Sequence, residues 1–278
     1  MSRRFGFLSV YTGMFILCRL VCGRYMEVSD IGEYEKTIDM FTYQLAYPDT
    51  YSAVFPANIN ETRRNTGNTA GNDSTEKTAY LTFDDGPTPR TGEILDILQR
   101  HDIKATFFVI VGREEYTPYM QRAVNEGHTV GVHSASHDYK KIYSSVDAYL
   151  QDFTQCYDYI FNETGYQPVI YRFPGGSVNN YNARTRREIA EEMSRRGFVY
   201  FDWNVESGDS GKLSAEEIYR NVTEGCKGKQ RAVIIMHDSA GKKTTVRALE
   251  NIIDFLKKDG WVFKALDNEV KPMIFRMK

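Results

Sequence analysis

Short apolar segments alternate with longer amphipathic segments between residues 78 and 266, and this alternation limits the chain to a few folds. A strand followed by a helix, repeated along a chain, builds a parallel sheet whose crossover helices cover its faces. The strand-like segments contain few polar residues, as expected for strands that are buried on both faces. The predicted strands are Ala79–Phe83, Ala105–Ile110, Thr129–Val132, Val169–Phe173, Phe198–Phe201, Ala232–Met236 and Trp261–Ala265.

The segments between these strands have the spacing of amphipathic helices. In one of them Val146, Tyr149, Phe153, Tyr157 and Ile160 recur every three or four residues, which predicts one buried helix face. The resulting α/β pattern fits either a doubly wound open sheet or an imperfect (β/α) barrel, and both folds place chemistry at the C-terminal ends of strands. The predicted helices are Thr91–His101, Thr117–Glu126, Val146–Phe161, Ala183–Arg196, Ser214–Cys226 and Thr245–Lys258.

Charge and the N-terminal region indicate where the chain acts. It has 278 residues, with 35 Lys and Arg against 37 Asp and Glu, and no block of like charges that would favour nucleic acid as a partner. A basic start precedes the uncharged residues Phe5–Cys18, as in a secretory signal. We therefore expect an exported protein at the cell surface or outside the cell. The predicted divisions are a signal peptide or membrane anchor (1–24), an extension and polar linker (25–77) and a folded domain (78–278).

Acidic residues and histidines follow the predicted strands where a parallel sheet places its active site. Asp84 and Asp85 end the first strand, and His133 and His137 follow the third at a spacing of four. That spacing puts two imidazoles on one face of a helical turn, which suits one metal ion. One carboxylate can bind the ion while its neighbour accepts a proton. Taken alone, the acidic pair also fits a solvated turn, and the histidines fit unrelated surface residues.

The later strand ends also carry polar groups. Arg172 precedes Gly175, whose missing side chain lets a backbone N–H group approach a ligand, and Asp209 and His237 follow the next two strands. Each of these features, alone, is more commonly a turn, a capped loop or a structural histidine. Together the strand ends supply an Asp-His-His ligand set, a base and an acid, which is a consistent set for a metal-dependent hydrolase.

In this order and spacing the motifs resemble those of carbohydrate esterase family 4, the polysaccharide deacetylases with a NodB homology domain. The resemblance covers residues 78 to 266. It implies a distorted (β/α)7 barrel and metal-dependent removal of N-acetyl groups from an acetamido-sugar polymer. The sequences around Arg172 and Asp209 are most similar to those of peptidoglycan N-acetylglucosamine deacetylases of Gram-positive bacteria. The motifs are Thr82–Pro87, His133–His137, Arg172–Gly176, Val205–Asp209 and Ile235–Asp238.

The resemblance implies catalytic roles for four residues and metal binding for three. Asp84 matches the general base and His237 the general acid. Arg172 matches the residue that orients the base, and Asp209 matches the carboxylate that tunes the acid. The implied cofactor is one divalent ion, with Zn²⁺ expected and Co²⁺ or Ni²⁺ as alternatives. The implied ligands are Asp85, His133 and His137.

Substrate contacts are implied at the strand ends as well. The N–H group of Gly175 matches an oxyanion donor, and Ile235 matches the apolar wall of the acetyl pocket. Many family members have Trp after the aspartate of the fourth motif, whereas Ser210 follows Asp209 here. Trp203 is a candidate for the missing aromatic wall. The predicted substrate-binding residues are Gly175, Pro174, Ile235 and Trp203.

Two other functions remain open from the sequence. The same site would serve an O-acetyl esterase acting on xylan or a related glycan, because an ester is easier to hydrolyse than an amide. A non-catalytic carbohydrate-binding relative is the alternative from a different class. In each case the expected partner is a glycan polymer, the default state is a monomer, and a single N-terminal membrane anchor is compatible with the first 24 residues.

Overall fold

The structure, a computed structural model, describes residues 76–277, in which parallel strands alternate with helices. The strands are β1 (Lys77–Asp84), β2 (Thr106–Ile110), β3 (Thr129–Ser134), β4 (Ile170–Tyr171), β5 (Val199–Tyr200), β6 (Val205–Glu206), β7 (Arg231–His237) and β8 (Trp261–Phe263). The helices are α1 (Pro89–Arg100), α2 (Thr117–Asn125), α3 (Tyr139–Ile142), α4 (Val146–Thr164), α5 (Arg186–Arg195), α6 (Ala215–Cys226) and α7 (Lys243–Lys258).

The strands lie in the order β5-β4-β3-β2-β1-β7-β6, and β8 pairs with the first residues of β1. All of these pairs are parallel, and together with the helices they form a distorted (β/α)7 barrel. The predicted α/β class and barrel architecture are therefore confirmed. The barrel form also resolves the alternative of a doubly wound open sheet, which the residue pattern alone left open.

Strand β1 is the central element of the sheet. Its C-terminal half pairs with β2, its N-terminal end pairs with β8, and its length from Thr78 to Asp84 pairs with β7. The residues from Ala79 to Asp84 are all buried, which explains their nearly continuous apolar composition. In the register of β1 with β7, Asp84 lies opposite His237. Two candidate catalytic residues are therefore paired directly through the backbone of the sheet.

Local signals in the sequence define the helices that follow these strands. Thr88 caps α1 in a capping box, and Pro89 occupies the first turn, where no N–H partner is needed. Ser214 and Glu217 form the capping box predicted for α6. Gly165 ends α4 with a φ of 69°, a left-handed conformation that costs glycine little. These caps set where each helix begins or ends relative to the strand ends that carry the site.

The structure differs from the predicted elements in several places, and the short helix α3 was not predicted. Strand β6 was not predicted, because two residues before a polar loop give no periodic signal. Helix α5 begins at Arg186 rather than Ala183, and no side chain caps its first turn. Strand β4 is confined to Ile170–Tyr171, shorter than the predicted segment. The shorter β4 places Arg172 just after the strand rather than within it, whereas β1, β3 and β7 end within two residues of their predicted ends.

Some sequence predictions concern residues outside the described range. The signal or anchor in residues 1–24 and the extension and linker up to residue 75 lie there, so they stay predictions. Among residues 76–277, no helix combines the length and the apolar character needed to cross a membrane. Cys156 and Cys226 lie within this range, and both are free and buried.

Candidate active site

Asp85, His133 and His137 converge at the C-terminal ends of β1 and β3. Asp85 Oδ1 lies 3.5 Å from His133 Nε2 and 3.3 Å from His137 Nε2. The three potential ligand atoms all lie within 4.8 Å of one another. One carboxylate oxygen and two imidazole nitrogens at this separation form a set that suits a divalent transition metal ion.

Backbone conformation and a hydrogen bond aim these side chains at a common point. Asp85 and His137 adopt left-handed φ values of 78° and 52°, which non-glycine residues take at a cost of about 1–3 kcal/mol. His133 Nδ1 lies 2.9 Å from the carbonyl oxygen of Arg172 and donates to it, so Nε2 is the nitrogen left to bind a metal. The backbone is therefore strained at two of the three candidate ligands.

The polar atoms in this cluster fit a cation. Asp85 Oδ1 is buried and has no hydrogen-bond partner among the described residues. Burial raises the pKa of Asp85, with His133 opposing the rise, and burial lowers the pKa of His133 and of His137. Neutral imidazoles are the form that ligates metal, and a divalent cation would compensate the buried carboxylate. The donor set and its burial both agree with a metal site.

Asp84 lies next to this cluster and is held by a buried arginine. Arg172 is fully buried, and its Nη1 atom donates to Asp84 Oδ1 at 2.9 Å and to Thr82 Oγ1 at 2.7 Å. The same guanidinium donates through Nε to the carbonyl of Phe201 at 2.8 Å and packs over the Phe108 ring at 4.3 Å. Arg172 thus bridges β4, β5 and β1 and fixes the orientation of the Asp84 carboxylate.

His237 ends the neighbouring strand β7, in register with Asp84, and is bonded to a second buried carboxylate. Its Nδ1 atom lies 2.7 Å from Asp209 Oδ1, and its backbone N–H donates to Asp209 Oδ2 at 2.8 Å. Thr245 Oγ1 donates to the same Oδ2 atom at 2.7 Å. Burial alone would lower the pKa of His237, but the bond to Asp209 and the charges of nearby carboxylates, Asp84 among them, outweigh it and raise the pKa to about 9. The imidazole is therefore charged at neutral pH.

These groups line one cleft of about 460 Å³. Gly175 lies at its edge with a φ of 73°, and a Cβ atom there would come within 3.0 Å of the Tyr139 ring. At Gly176, which has a φ of 81°, a Cβ atom would come within 2.9 Å of the Phe275 ring and 3.0 Å of the Trp203 ring. The two glycines therefore let aromatic rings approach the backbone on either side. Ile235 also lines the cleft.

Known proteins share this arrangement of fold and sequence. The polysaccharide deacetylase family profile matches residues 71–197. A peptidoglycan-N-acetylglucosamine deacetylase of Bacillus cereus is 36% identical over 205 residues, which is 71% of this chain and 72% of that protein. The chain belongs to the polysaccharide deacetylase family. It is accordingly a hydrolase, and members of this family depend on a metal ion.

Two further comparisons place the deacetylase within its family. The crystal structure of the catalytic domain of a peptidoglycan N-acetylglucosamine deacetylase from Eubacterium rectale superposes with a TM-score of 0.71 at 34% identity. That match covers 77% of this chain and 99% of the other. A bifunctional xylanase/deacetylase of Pseudobutyrivibrio xylanivorans is 32% identical over 77% of this chain, which spans 33% of that protein.

The deacetylase brings ten of the eleven sequence-predicted site residues to the cleft or to its direct supports. Pro174 is the exception, because it does not line the cleft. Its carbonyl instead accepts hydrogen bonds from Tyr143 Oη at 2.7 Å and Asn179 Nδ2 at 3.2 Å, and these bonds hold the loop that leads to Gly175. Pro174 therefore acts on the site through the position of its neighbour.

Sequence reasoning missed three residues of the deacetylase site. Tyr139 lines the cleft and packs edge-on against His137 at a centroid distance of 5.2 Å. Asp238 is buried under the β1–α1 turn, where burial raises its pKa to about 7 and Thr91 Oγ1 donates to it. Asp152 binds the loop that carries His137. A polar residue at a core position of helix α4 was the available signal for Asp152.

Proposed function

We propose that this deacetylase hydrolyses the N-acetyl group of N-acetylglucosamine units in peptidoglycan, with one Zn²⁺ ion held by Asp85, His133 and His137. The observation that carries the proposal is the convergence of this ligand set with Asp84 and His237 on one cleft. A divalent cation held by these three residues would polarise an acetyl carbonyl and make water more acidic. The names of the bacterial relatives support the choice of substrate.

The chain's own residues supply the proton transfers. Asp84, oriented by Arg172, accepts a proton from the water that attacks the acetyl carbon. Gly175 lines the cleft, and we assign its N–H group as the donor to the oxygen that becomes negative as the C–O bond forms. His237 then gives a proton to the amide nitrogen as the C–N bond breaks. The products are acetate and the free amine of the sugar.

The state of His237 suits this role. Asp209 occupies its Nδ1 atom, so Nε2 is the nitrogen available to protonate the leaving amine. An amine leaves poorly unless it is protonated, so an imidazole that is charged at neutral pH is the form required. Asp209 thereby both orients the imidazole and keeps it protonated.

Aromatic side chains at the cleft favour a sugar polymer as the substrate. Tyr139 and Trp203 flank the two glycines, and Tyr181, which is 52% exposed, packs edge-on against Tyr139 at 5.4 Å. Tyr181 is exposed, and Tyr139 and Trp203 are half-buried; aromatic rings that reach the surface beside polar groups offer stacking surfaces for the apolar faces of sugar rings. This feature supports a glycan rather than a small acetamide.

We further propose that the protein acts outside the cell. The predicted export signal in residues 1–24 and the cell-wall substrates named for the relatives agree with that location. The folded domain from residue 78 onward would then be the catalytic part, and the preceding extension would connect it to a cleaved signal or a retained anchor.

Acetate release tests the substrate class directly. Purified protein loaded with Zn²⁺ is incubated with peptidoglycan, chitin oligomers and acetylxylan, and released acetate and new free amines are quantified. Acetate with matching free amine from peptidoglycan supports the proposal. Release from acetylxylan alone would replace it with an O-acetyl esterase, for which the xylanase-linked relative gives a precedent.

The proton roles are tested with paired variants. Asp84→Asn should lose nearly all activity while Zn²⁺ stays bound, whereas Asp96→Asn, a change of an exposed carboxylate on α1, should change neither. His237→Ala should cost less on an acetyl ester with a good leaving group than on the acetamide, because such a group needs no proton. An equal loss on both substrates would contradict the acid role of His237.

A further inference from the structure

A buried carboxylate on helix α4 binds the loop that carries the second candidate metal ligand. Asp152 is 6% exposed, and it belongs to a helix face that is otherwise formed by apolar side chains. Its Oδ2 atom accepts from the backbone N–H of Ala135 at 2.9 Å and from the hydroxyl of Ser134. Its Oδ1 atom accepts from the backbone N–H of Ser136 at 2.8 Å. Both oxygens are thus used by consecutive residues of one loop.

The same hydrogen-bond chain reaches His137. The backbone N–H of His137 donates to Ser134 Oγ at 2.9 Å, and that hydroxyl donates in turn to Asp152. Ser134 can accept from His137 in this geometry because its own proton is committed to the carboxylate. His137 is therefore connected to α4 through two hydrogen bonds and one side chain.

This connection opposes the conformational preference of His137. The residue has a φ of 52°, in the left-handed region that costs a non-glycine residue about 1–3 kcal/mol. Without a restraint, the loop would relax and turn the imidazole away from Asp85. Hydrogen bonds to a charged acceptor in a buried setting are among the stronger ones, at about 1.5–3 kcal/mol each. The restraint is therefore large enough to maintain the strained conformation.

We propose that Asp152 is a positioning residue that holds His137 in the orientation needed to bind the metal ion. It makes no hydrogen bond to Asp85 or His133, and all of its hydrogen bonds end in the loop of residues 134–137. The proposal rests on the metal site of the proposed function. Its direct consequence is a change in metal affinity, and the loss of activity follows from that change.

Metal affinity of the full chain is the measurement that tests this role. Zn²⁺ is titrated calorimetrically into metal-free protein, and Co²⁺ is titrated with its visible absorption as a second readout of ligand geometry. Asp152→Asn should weaken binding by roughly 10- to 100-fold, the usual effect of losing a group that orients a ligand. Asp147→Asn removes the same charge from an exposed position of the same helix, and it should leave affinity unchanged.

A second variant keeps the test decisive if Asp152→Asn folds poorly. Ser134→Ala removes the link to His137 but leaves both backbone bonds to Asp152, and it should also weaken Zn²⁺ binding by more than fivefold. The double variant should be little worse than Asp152→Asn, because both changes break one chain of contacts. Thermal unfolding of each metal-free variant identifies any loss that comes only from stability.

The outcomes separate this proposal from the proposed function. The positioning role alone would be overturned if the parent protein binds Zn²⁺ and the folded variants Asp152→Asn and Ser134→Ala bind it with affinities within twofold of the parent. Parent protein that binds no Zn²⁺ would overturn both the metal site and the role of Asp152. We expect weaker binding and an altered Co²⁺ spectrum in both variants. Asp147→Asn should change neither the affinity nor the spectrum.

Discussion

Asp209→Asn is the substitution that most directly tests the proton chemistry of the deacetylase. The change removes one negative charge and keeps a side chain of nearly the same shape. The carboxylate is almost fully buried and accepts from both the Nδ1 atom and the backbone N–H of His237. Its loss therefore acts on the protonation of His237 before it acts on any contact with substrate.

The size of the effect follows from the pKa of His237. The surrounding groups raise that pKa from 6.5 to about 9, although burial alone would lower it. At about 1.4 kcal/mol for each pH unit, the difference is roughly 3 kcal/mol in favour of the charged imidazole. Asp209 makes the largest upward contribution through its hydrogen bond, and Asp84 and Asp85 add to it. A bound cation would offset part of the effect that Asp84 and Asp85 have on the pKa of His237. The contribution of Asp209 to that pKa therefore becomes more important in the metal-loaded enzyme.

The expected result is a shift of the alkaline limb of kcat/KM. The acid must be protonated to act, so activity falls as pH rises through its pKa. If the pKa of His237 returned to 6.5, about 3% of the imidazole would be charged at pH 8, roughly a 30-fold loss. Because Asp84 still favours the charged form, we expect the limb to move down by one to two pH units.

The assay is the initial rate of amine release from a chitin oligomer between pH 5 and 10, with Zn²⁺ saturating. Thr245→Val is the matched control, because it removes one hydrogen bond to Asp209 but no charge, and it should move the limb much less. A uniform loss of activity with an unmoved alkaline limb would refute the reasoning. That result would leave Asp209 as a support for the imidazole ring and not as the group that keeps it charged.

Three further predictions concern the metal, the buried ion pair and the domain boundary. His133→Ala should abolish tight metal binding with the fold retained by circular dichroism, and stoichiometric metal in the His133→Ala/His137→Ala variant would contradict the ligand assignment. Arg172→Ala leaves the Asp84 carboxylate buried without its partner. Chemical denaturation should therefore show that the free energy of unfolding falls by about 3–5 kcal/mol, whereas loss of a surface ion pair costs about 1 kcal/mol or less. Removal of residues 1–76 should leave a folded enzyme with parental kcat on soluble oligomers, and an inactive soluble fragment would place part of the cleft in the removed segment.

Most of the proposed catalytic set could be predicted because it lies next to strong local signals in the sequence. Asp84 and His237 end apolar strands and His133 is the penultimate residue of another, and parallel strands bring such ends together. The pairing of Asp84 with His237 could not be predicted from the sequence, because the register between β1 and β7 depends on a contact between residues more than 150 positions apart. Local spacing carries no information about that distance.

Other features were hidden for different physical reasons. Asp152 stands within a helix, where a polar residue usually faces solvent, and only its spacing from Tyr149 and Cys156 places it on the buried face. Strand β6 is too short to have a period of its own. The role of Pro174 depended on which carbonyl Tyr143 reaches, and that contact is set by the packing of α3 and α4.

The direct pairing of Asp84 with His237 has a consequence for how this scaffold can diversify. The two residues that would move protons occupy matched positions of neighbouring strands, so their spacing is inherited from the backbone and is insensitive to insertions elsewhere. The aromatic side chains beside the cleft, such as Tyr139 and Tyr181, come from connections outside the sheet or from its shortest helix. Altered glycan preference can therefore arise by substitution of these aromatic residues, while the residues proposed for hydrolysis stay unchanged.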